Sequence, residues 1–279
     1  MWPVQRPTID AGETFQVCIS RVRTPDLRAR LAGIRKDIEA AAADYEMMAD
    51  LGCLHLISPT SSVGGSVSAS EMVAVYEGRM VPVGSPGRSI YEQIKMLPSG
   101  DRCPFCDQRN VSTLDHFLPK ALHPVFAVTP VNLVGSCIEC NIAKMTLSAT
   151  TAEDVFLHPY FENADTIQWL KGGVLHQSPC VVLFHVEPPS GWSAVTISRA
   201  RLQFKLLNLA SLYSSEAARE ITNIRYNLDQ HFQSGGADAV RGELERQWHS
   251  RRANRINSWQ TAMYEALARD QWFHNGGYL

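Results

Sequence analysis

No run of the 279-residue chain approaches the roughly 18 to 20 apolar residues that a helix needs to cross a bilayer. The clearest apolar run, Cys180 to Val186, is far shorter and carries His185. The opening Met1-Trp2-Pro3-Val4-Gln5-Arg6-Pro7 lacks the charged-then-apolar order of a secretion signal. A cytoplasmic protein without a membrane partner is the expectation. An excess of one charge sign is missing too: 26 Lys and Arg stand against 28 Asp and Glu, a net charge of −2. Phosphate neutralisation dominates the affinity for long nucleic acid, so proteins that grip it alone are usually basic. Any nucleic-acid surface here is therefore local, or a partner supplies the grip. Internal repeats and low-complexity tails are absent, which excludes a solenoid and a disordered scaffold.

What is present is ordinary globular material, 45% apolar and 19% charged, long enough for one large domain or two smaller ones. Thr24-Pro25-Asp26 reads as a helix start, with Leu27, Leu31, Ile34, Ile38, Tyr45 and Met48 at helical spacing and Gly52 as a stop. Residues 1 to 23 show no clear period. Ser58 to Ser70 reads as a loop, followed by helices over Ala69–Arg79 and Ser89–Met96. Downstream, Val181–Val186 and Ser193–Ile197 read as two strands joined by Pro188-Pro189-Ser190-Gly191. Leu202–Leu212, Ile221–Phe232 and Val240–Leu267 read as helices. The expected class is α+β, mainly helical. A helical region over 1–98 leads into a cysteine-rich module over 99–150, and a strand hairpin followed by helices fills 151–279.

Four of the seven cysteines form two C-x-x-C pairs, Cys103-Pro104-Phe105-Cys106 and Cys137-Ile138-Glu139-Cys140. Each pair sets two sulfurs on one tight turn. Two such turns can close a tetrahedron around Zn²⁺, and four thiolates leave no open position, so the zinc would be structural. A thioredoxin-like redox reading fails because there are two pairs and no βαβ pattern around either. Cys18, Cys53 and Cys180 are expected as small buried apolar residues.

Between the knuckles lies Asp115-His116-Phe117-Leu118-Pro119-Lys120, then Asn132-Leu133, and straight after the second knuckle Asn141-Ile142-Ala143-Lys144. Neighbouring side chains on a strand diverge, so one of Asp115 and His116 can hold a metal while the other addresses water. Imidazole titrates near neutrality and suits a general base; a carboxylate suits a hard ion such as Mg²⁺ or Mn²⁺. Asn141 and Lys144 share one helix face.

The order C-x-x-C, Asp-His-x-x-Pro-Lys, Asn-Leu-x-x-x-C-x-x-C-Asn-x-x-Lys resembles the zinc-knuckle branch of the HNH, or ββα-metal, endonuclease superfamily. The resemblance runs from Cys103 to Lys144 and leaves the flanks unassigned. It implies His116 as the base, Asp115 and Asn141 as ligands of a catalytic Mg²⁺ or Mn²⁺, and Asn132 as the residue that fixes the loop and orients His116. Lys120 and Lys144 would contact substrate phosphate. Some members carry a second histidine ligand where this chain has Met145, which leaves the ion fewer protein ligands. HNH modules with long helical flanks also resemble effectors of bacterial anti-phage or restriction systems, where an ATPase or sensor subunit controls the cutting of DNA. The competing reading is a non-catalytic zinc module that binds nucleic acid or a partner protein. His123 and His158 are further polar residues near the module, more simply structural than catalytic. Arg246, Arg251, Arg252 and Arg255 read as a solvated helix face or, more sharply, a nucleic-acid rail.

Overall fold

A computed structural model describes residues 2–144 and 149–278. The chain is mixed α/β, mostly helical, with a cluster of four cysteines. It divides into two compact units, one over Trp2–Asn163 and one from Ala164 onward.

In the first unit Asp10 accepts a hydrogen bond from Glu13 N at 2.7 Å and starts α1 (Ala11–Ile19), a helix that the sequence did not announce. The helix expected from Thr24 to Gly52 is two helices, α2 (Pro25–Gly33) and α3 (Arg35–Asp50). They break at Ile34, where φ −93° and ψ 6° leave helical geometry. The stretch read as a loop after Ser58 carries a minimal hairpin, β1 (Ser62–Val63) and β2 (Val67–Ser68). Ser68 then caps α4 (Ala69–Arg79) through a reciprocal pair of bonds with Glu71, and Arg30 ties α2 to that cap at 2.7 Å. Helix α5 (Arg88–Lys95) follows.

The cysteine-rich stretch contributes β3 (Thr113–His116) and β4 (Leu133–Ser136), antiparallel with Asp115 opposite Val134 and His116 opposite Leu133. Helix α6 (Ile138–Lys144) comes directly after, with Cys137 at the corner. Leu114 and Leu133 point into the same core as Phe15, Ile38, Met72, Tyr76 and Ile94. Full burial of side chains of this size contributes roughly 1.5–3 kcal/mol each. The strands are thereby fixed by the helices before them.

In the second unit β5 (Leu170–Leu175) pairs with β6 (Val181–Val186), Leu170 opposite Val186. The strand expected at Ser193–Ile197 is instead the start of α7 (Ala194–Leu206): Ser193 Oγ accepts from Thr196 N at 3.1 Å and caps it. Helix α8 (Leu209–Asn254) turns back at Gly235–Gly236, where Gly236 has φ 65°. Glu243 on its second arm accepts from Asn227 on its first. The helix expected through Val240–Leu267 ends at Asn254 and resumes as α9 (Trp259–Arg269), capped by Ser258. A Cβ on Gly172 of β5 would lie 2.9 Å from the Ala262 carbonyl, so glycine is what lets α9 seat on this hairpin. Among the described residues no helix is long and apolar enough to cross a membrane.

Candidate functional site

The cysteine cluster organises the site. The first knuckle is a closed turn, with Asp107 N donating to the Cys103 carbonyl at 2.7 Å and Cys103 N to the Arg109 carbonyl at 2.9 Å. In the second, Cys140 N donates to Cys137 Sγ at 3.4 Å. All four residues are buried, their sulfurs lie within 4.8 Å of one another, and Cys106 and Cys137 are 3.9 Å apart. Sulfurs at about 2.3 Å from a tetrahedral zinc stand about 3.8 Å from each other, so the cluster fits one such ion. Because Cys140 belongs to α6, closing the cluster also sets that helix against β3.

Asp115 and His116 end β3, both buried. His116 Nε2 lies 2.8 Å from the Ala127 carbonyl. A carbonyl only accepts, so Nε2 carries the hydrogen and Nδ1 keeps the lone pair. Burial pushes the imidazole down to about 3, against the carbonyl bond that favours its charged form; the ring is neutral at physiological pH. Tyr76 and this ring meet edge to face, their centroids 4.4 Å apart. Burial raises the Asp115 carboxyl, opposed by the charge of Lys144.

Asn132 works on the loop that returns the chain to β4. Its Oδ1 accepts from Leu118 N at 2.7 Å, and its Nδ2 donates to the carbonyls of Leu118 at 3.0 Å and Phe126 at 3.3 Å. Phe126 precedes Ala127, the partner of His116. Asn141 Nδ2 donates to the Leu114 carbonyl at 3.4 Å, which leaves Oδ1 as its acceptor toward a cation. Lys144 is buried and donates to the carbonyls of His116 and Phe117, each at 2.8 Å, with Asp115 Oδ2 at 3.1 Å. Lys120 faces Glu77 at 3.6 Å and lies over the Tyr76 ring. Met145 lies outside the described residues.

One cleft of about 430 Å³ is lined by Asp115, His116, Lys120, Asn141 and Lys144 together. Asn132 stands behind it as loop support. Its other wall, Tyr76, Glu77 and Tyr91 from α4 and α5, went unnoticed in the sequence because nothing local marks those residues; only packing brings them there. Asp115 Oδ2 is buried with the Lys144 ammonium at 3.1 Å, and Asn141 lines the same cleft. Carboxylate and amide oxygens are the donor types that hard cations take.

No family model and no solved structure matches the chain. It is similar to Protein ea31 of Escherichia phage lambda, 30% identical over 236 residues that cover 80% of this chain and 79% of that protein. The chain belongs to the ea31 family. An alignment of that length exceeds either compact unit, so the ea31 likeness extends over both.

The remaining polar candidates of this ea31-family chain have structural partners. His158 Nδ1 accepts from Tyr160 N at 3.2 Å, so Nε2 carries the hydrogen and donates to Tyr45 Oη at 3.0 Å. The ring stacks on Phe117 at 3.9 Å, and burial holds it well below the usual imidazole range. His123 is buried outside the cleft and is likewise pushed down by burial. In the second unit Arg246 pairs with Glu243 at 2.7 Å, and Arg252 donates to Gln168 at 2.9 Å.

Proposed function

We propose that this ea31-family protein is a metal-dependent HNH endonuclease that hydrolyses phosphodiester bonds in DNA, with a structural zinc on Cys103, Cys106, Cys137 and Cys140. The observation that carries the reading is the convergence of Asp115, His116, Asn141 and two lysines on one cleft, on a two-strand-then-helix unit cornered by four cysteines. That order of elements agrees with the ββα-metal resemblance of the sequence.

In this reading His116 Nδ1 takes a proton from the attacking water. Its neutral state and its Nε2–H anchor on Ala127 keep the lone pair available. Asp115 and Asn141 would hold Mg²⁺ or Mn²⁺, which supplies positive charge against the developing phosphorane. Lys120, the more exposed of the two lysines, meets a phosphate oxygen at the cleft. Asn132 keeps the Ala127 carbonyl in place.

The biological setting belongs to the same proposal: an anti-phage or restriction effector whose cut is released by an ATPase or sensor partner. A relative carried by a phage is compatible with such a setting. The net charge of −2 gives the chain little attraction of its own for DNA. The decisive experiment is plasmid cleavage with Mg²⁺ or Mn²⁺ by wild type and His116→Ala, zinc content measured on both. Loss of cleavage with zinc retained supports the reading. Equal cutting by both overturns the mechanism. No cutting by wild type, alone or with the proteins it co-purifies with, leaves the non-catalytic zinc module as the better account.

A further inference from the structure

Lys144 holds an unusual position for a lysine expected to meet substrate. Its ammonium is surrounded by three oxygens, the carbonyls of His116 and Phe117 at 2.8 Å and Asp115 Oδ2 at 3.1 Å. The side chains of Lys144 and Asp115 are 6% and 4% exposed, so water screens neither charge. The ammonium therefore stands where a cation bound to Oδ2 would stand, and it supplies the counter-charge of the buried carboxylate. Lys120, the other lysine of the cleft, is engaged with Glu77 and Tyr76.

We propose that Lys144 is the resident cation of the Asp115 site, and that a divalent metal enters only by displacing its ammonium onto a substrate phosphate. This rests on the reading of Asp115 as a metal ligand. An ammonium and a divalent ion compete for one buried carboxylate oxygen, because in a poorly screened site their repulsion is large. Lys144 therefore weakens metal binding in the free protein. Once displaced, its charge needs a new partner within reach. A phosphodiester in the cleft offers one, since Lys144 lines that cleft already. Metal and DNA then bind cooperatively, each improving the site for the other through one lysine.

The test is Mn²⁺ binding to the full-length zinc-loaded protein, followed by electron paramagnetic resonance, with and without a short DNA duplex. Wild type, Lys144→Met and Asp115→Asn are compared. Lys144→Met is expected to bind Mn²⁺ about tenfold more tightly than wild type without DNA. DNA should tighten binding to wild type and have little effect on Lys144→Met, while Asp115→Asn binds weakly throughout. Equal or weaker binding by Lys144→Met, with Asp115→Asn still defective, overturns the inference and leaves the metal reading standing. Asp115→Asn binding as well as wild type removes the metal reading and the inference with it. Should Lys144→Met fail to fold, wild type alone decides: reductive methylation of Lys144, read by mass spectrometry, should rise on adding Mn²⁺. An amine equally protected in a Mn²⁺-saturated protein overturns the proposal.

Discussion

Asn132 grips the backbone of Leu118 from both sides, Oδ1 accepting its N–H at 2.7 Å and Nδ2 donating to its carbonyl at 3.0 Å. A side-chain amide carries its donor and its acceptor side by side, so it can do both at once. The same Nδ2 reaches Phe126, so a single residue closes the loop between β3 and β4 at its beginning and near its end. Replacing Asn132 by Ala leaves the Leu118 N–H and carbonyl without this partner, at about 1–3 kcal/mol for each that water cannot reach, while the Phe126 carbonyl keeps Thr129 N. Asn132→Asp keeps the acceptor, loses the donor and adds a buried charge. Both variants should lower the urea midpoint, and the Leu118 amide should exchange hydrogen faster in Asn132→Ala. An unchanged exchange rate at Leu118 would show that the loop is held by something else.

The four cysteines should behave as one unit. We expect about one zinc per chain by elemental analysis, and loss of that zinc in Cys137→Ser or Cys103→Ser. Since metal-binding energy here is also folding energy, a chelator should unfold the first unit together with removing the ion. A well-folded wild-type protein without zinc would remove this prediction.

Tyr45→Phe deletes the hydroxyl that takes the His158 Nε2–H, leaving a buried donor without its partner. The expected cost is about 1–3 kcal/mol in a denaturation experiment. Zinc content and any cleavage activity should stay as in wild type, because His158 lies outside the cleft. A drop in activity larger than the loss of folded protein would give His158 a role that its hydrogen bonds do not suggest.

The pH dependence follows from the same histidine. Burial holds His158 well below 6.5 in the folded chain, and lowers His116 and His123 as well. Folding then favours the neutral rings. The stability this contributes is complete above the unfolded value near 6.5 and is lost as pH falls below it, because the unfolded chain binds the protons first. Between pH 7 and 5.5 the urea midpoint should fall, at up to about 1.4 kcal/mol per pH unit for each histidine. His158→Gln should flatten that slope. An identical slope in the variant would show that other groups set it.

Gly172→Ala probes the seating of α9 in the second unit. The new methyl would meet the Ala262 carbonyl at 2.9 Å, a main-chain atom that cannot swing aside. A loss of about 1–3 kcal/mol is expected. A variant as stable as wild type would mean that α9 and β5 slide apart freely.

The parts of the site that could be read from the sequence are those whose chemistry dictates spacing. Two sulfurs per turn fix Cys103/Cys106 and Cys137/Cys140, and Asp115-His116 share one short strand. The cleft's other wall could not be read, because Tyr76, Glu77 and Tyr91 look like any amphipathic helix until the core is folded. The fold shows the same divide. At Ser193 the β-branched run Val195-Thr196-Ile197 suggests a strand, whereas the structure follows the serine cap and starts a helix there. Strand β5 was hidden by Gly172 and Gly173, which lower strand propensity while permitting close approach of α9. The break at Ile34 has no punctuation beyond Gly33, and a continuous apolar stripe runs across it. Lys144 shows the limit most plainly: its position one turn after Asn141 was legible, and its pairing with Asp115 was not.

Leu114 and Leu133, from the two strands that carry the candidate site, lie in the same apolar core as Phe15, Met72 and Ile94. A recombinant fragment beginning just before Cys103 would contain all four cysteines of the cluster and every polar group of the cleft except Glu77 and the two tyrosines. It would also carry a bare greasy sheet face where α4 and α5 had been. Such a fragment should aggregate or recruit a chaperone, with all its metal ligands intact. Limited proteolysis should accordingly spare the joint between α5 and β3 relative to the exposed turn at Gly235–Gly236. Efforts to transplant this centre onto another scaffold would have to carry the upstream helices with it.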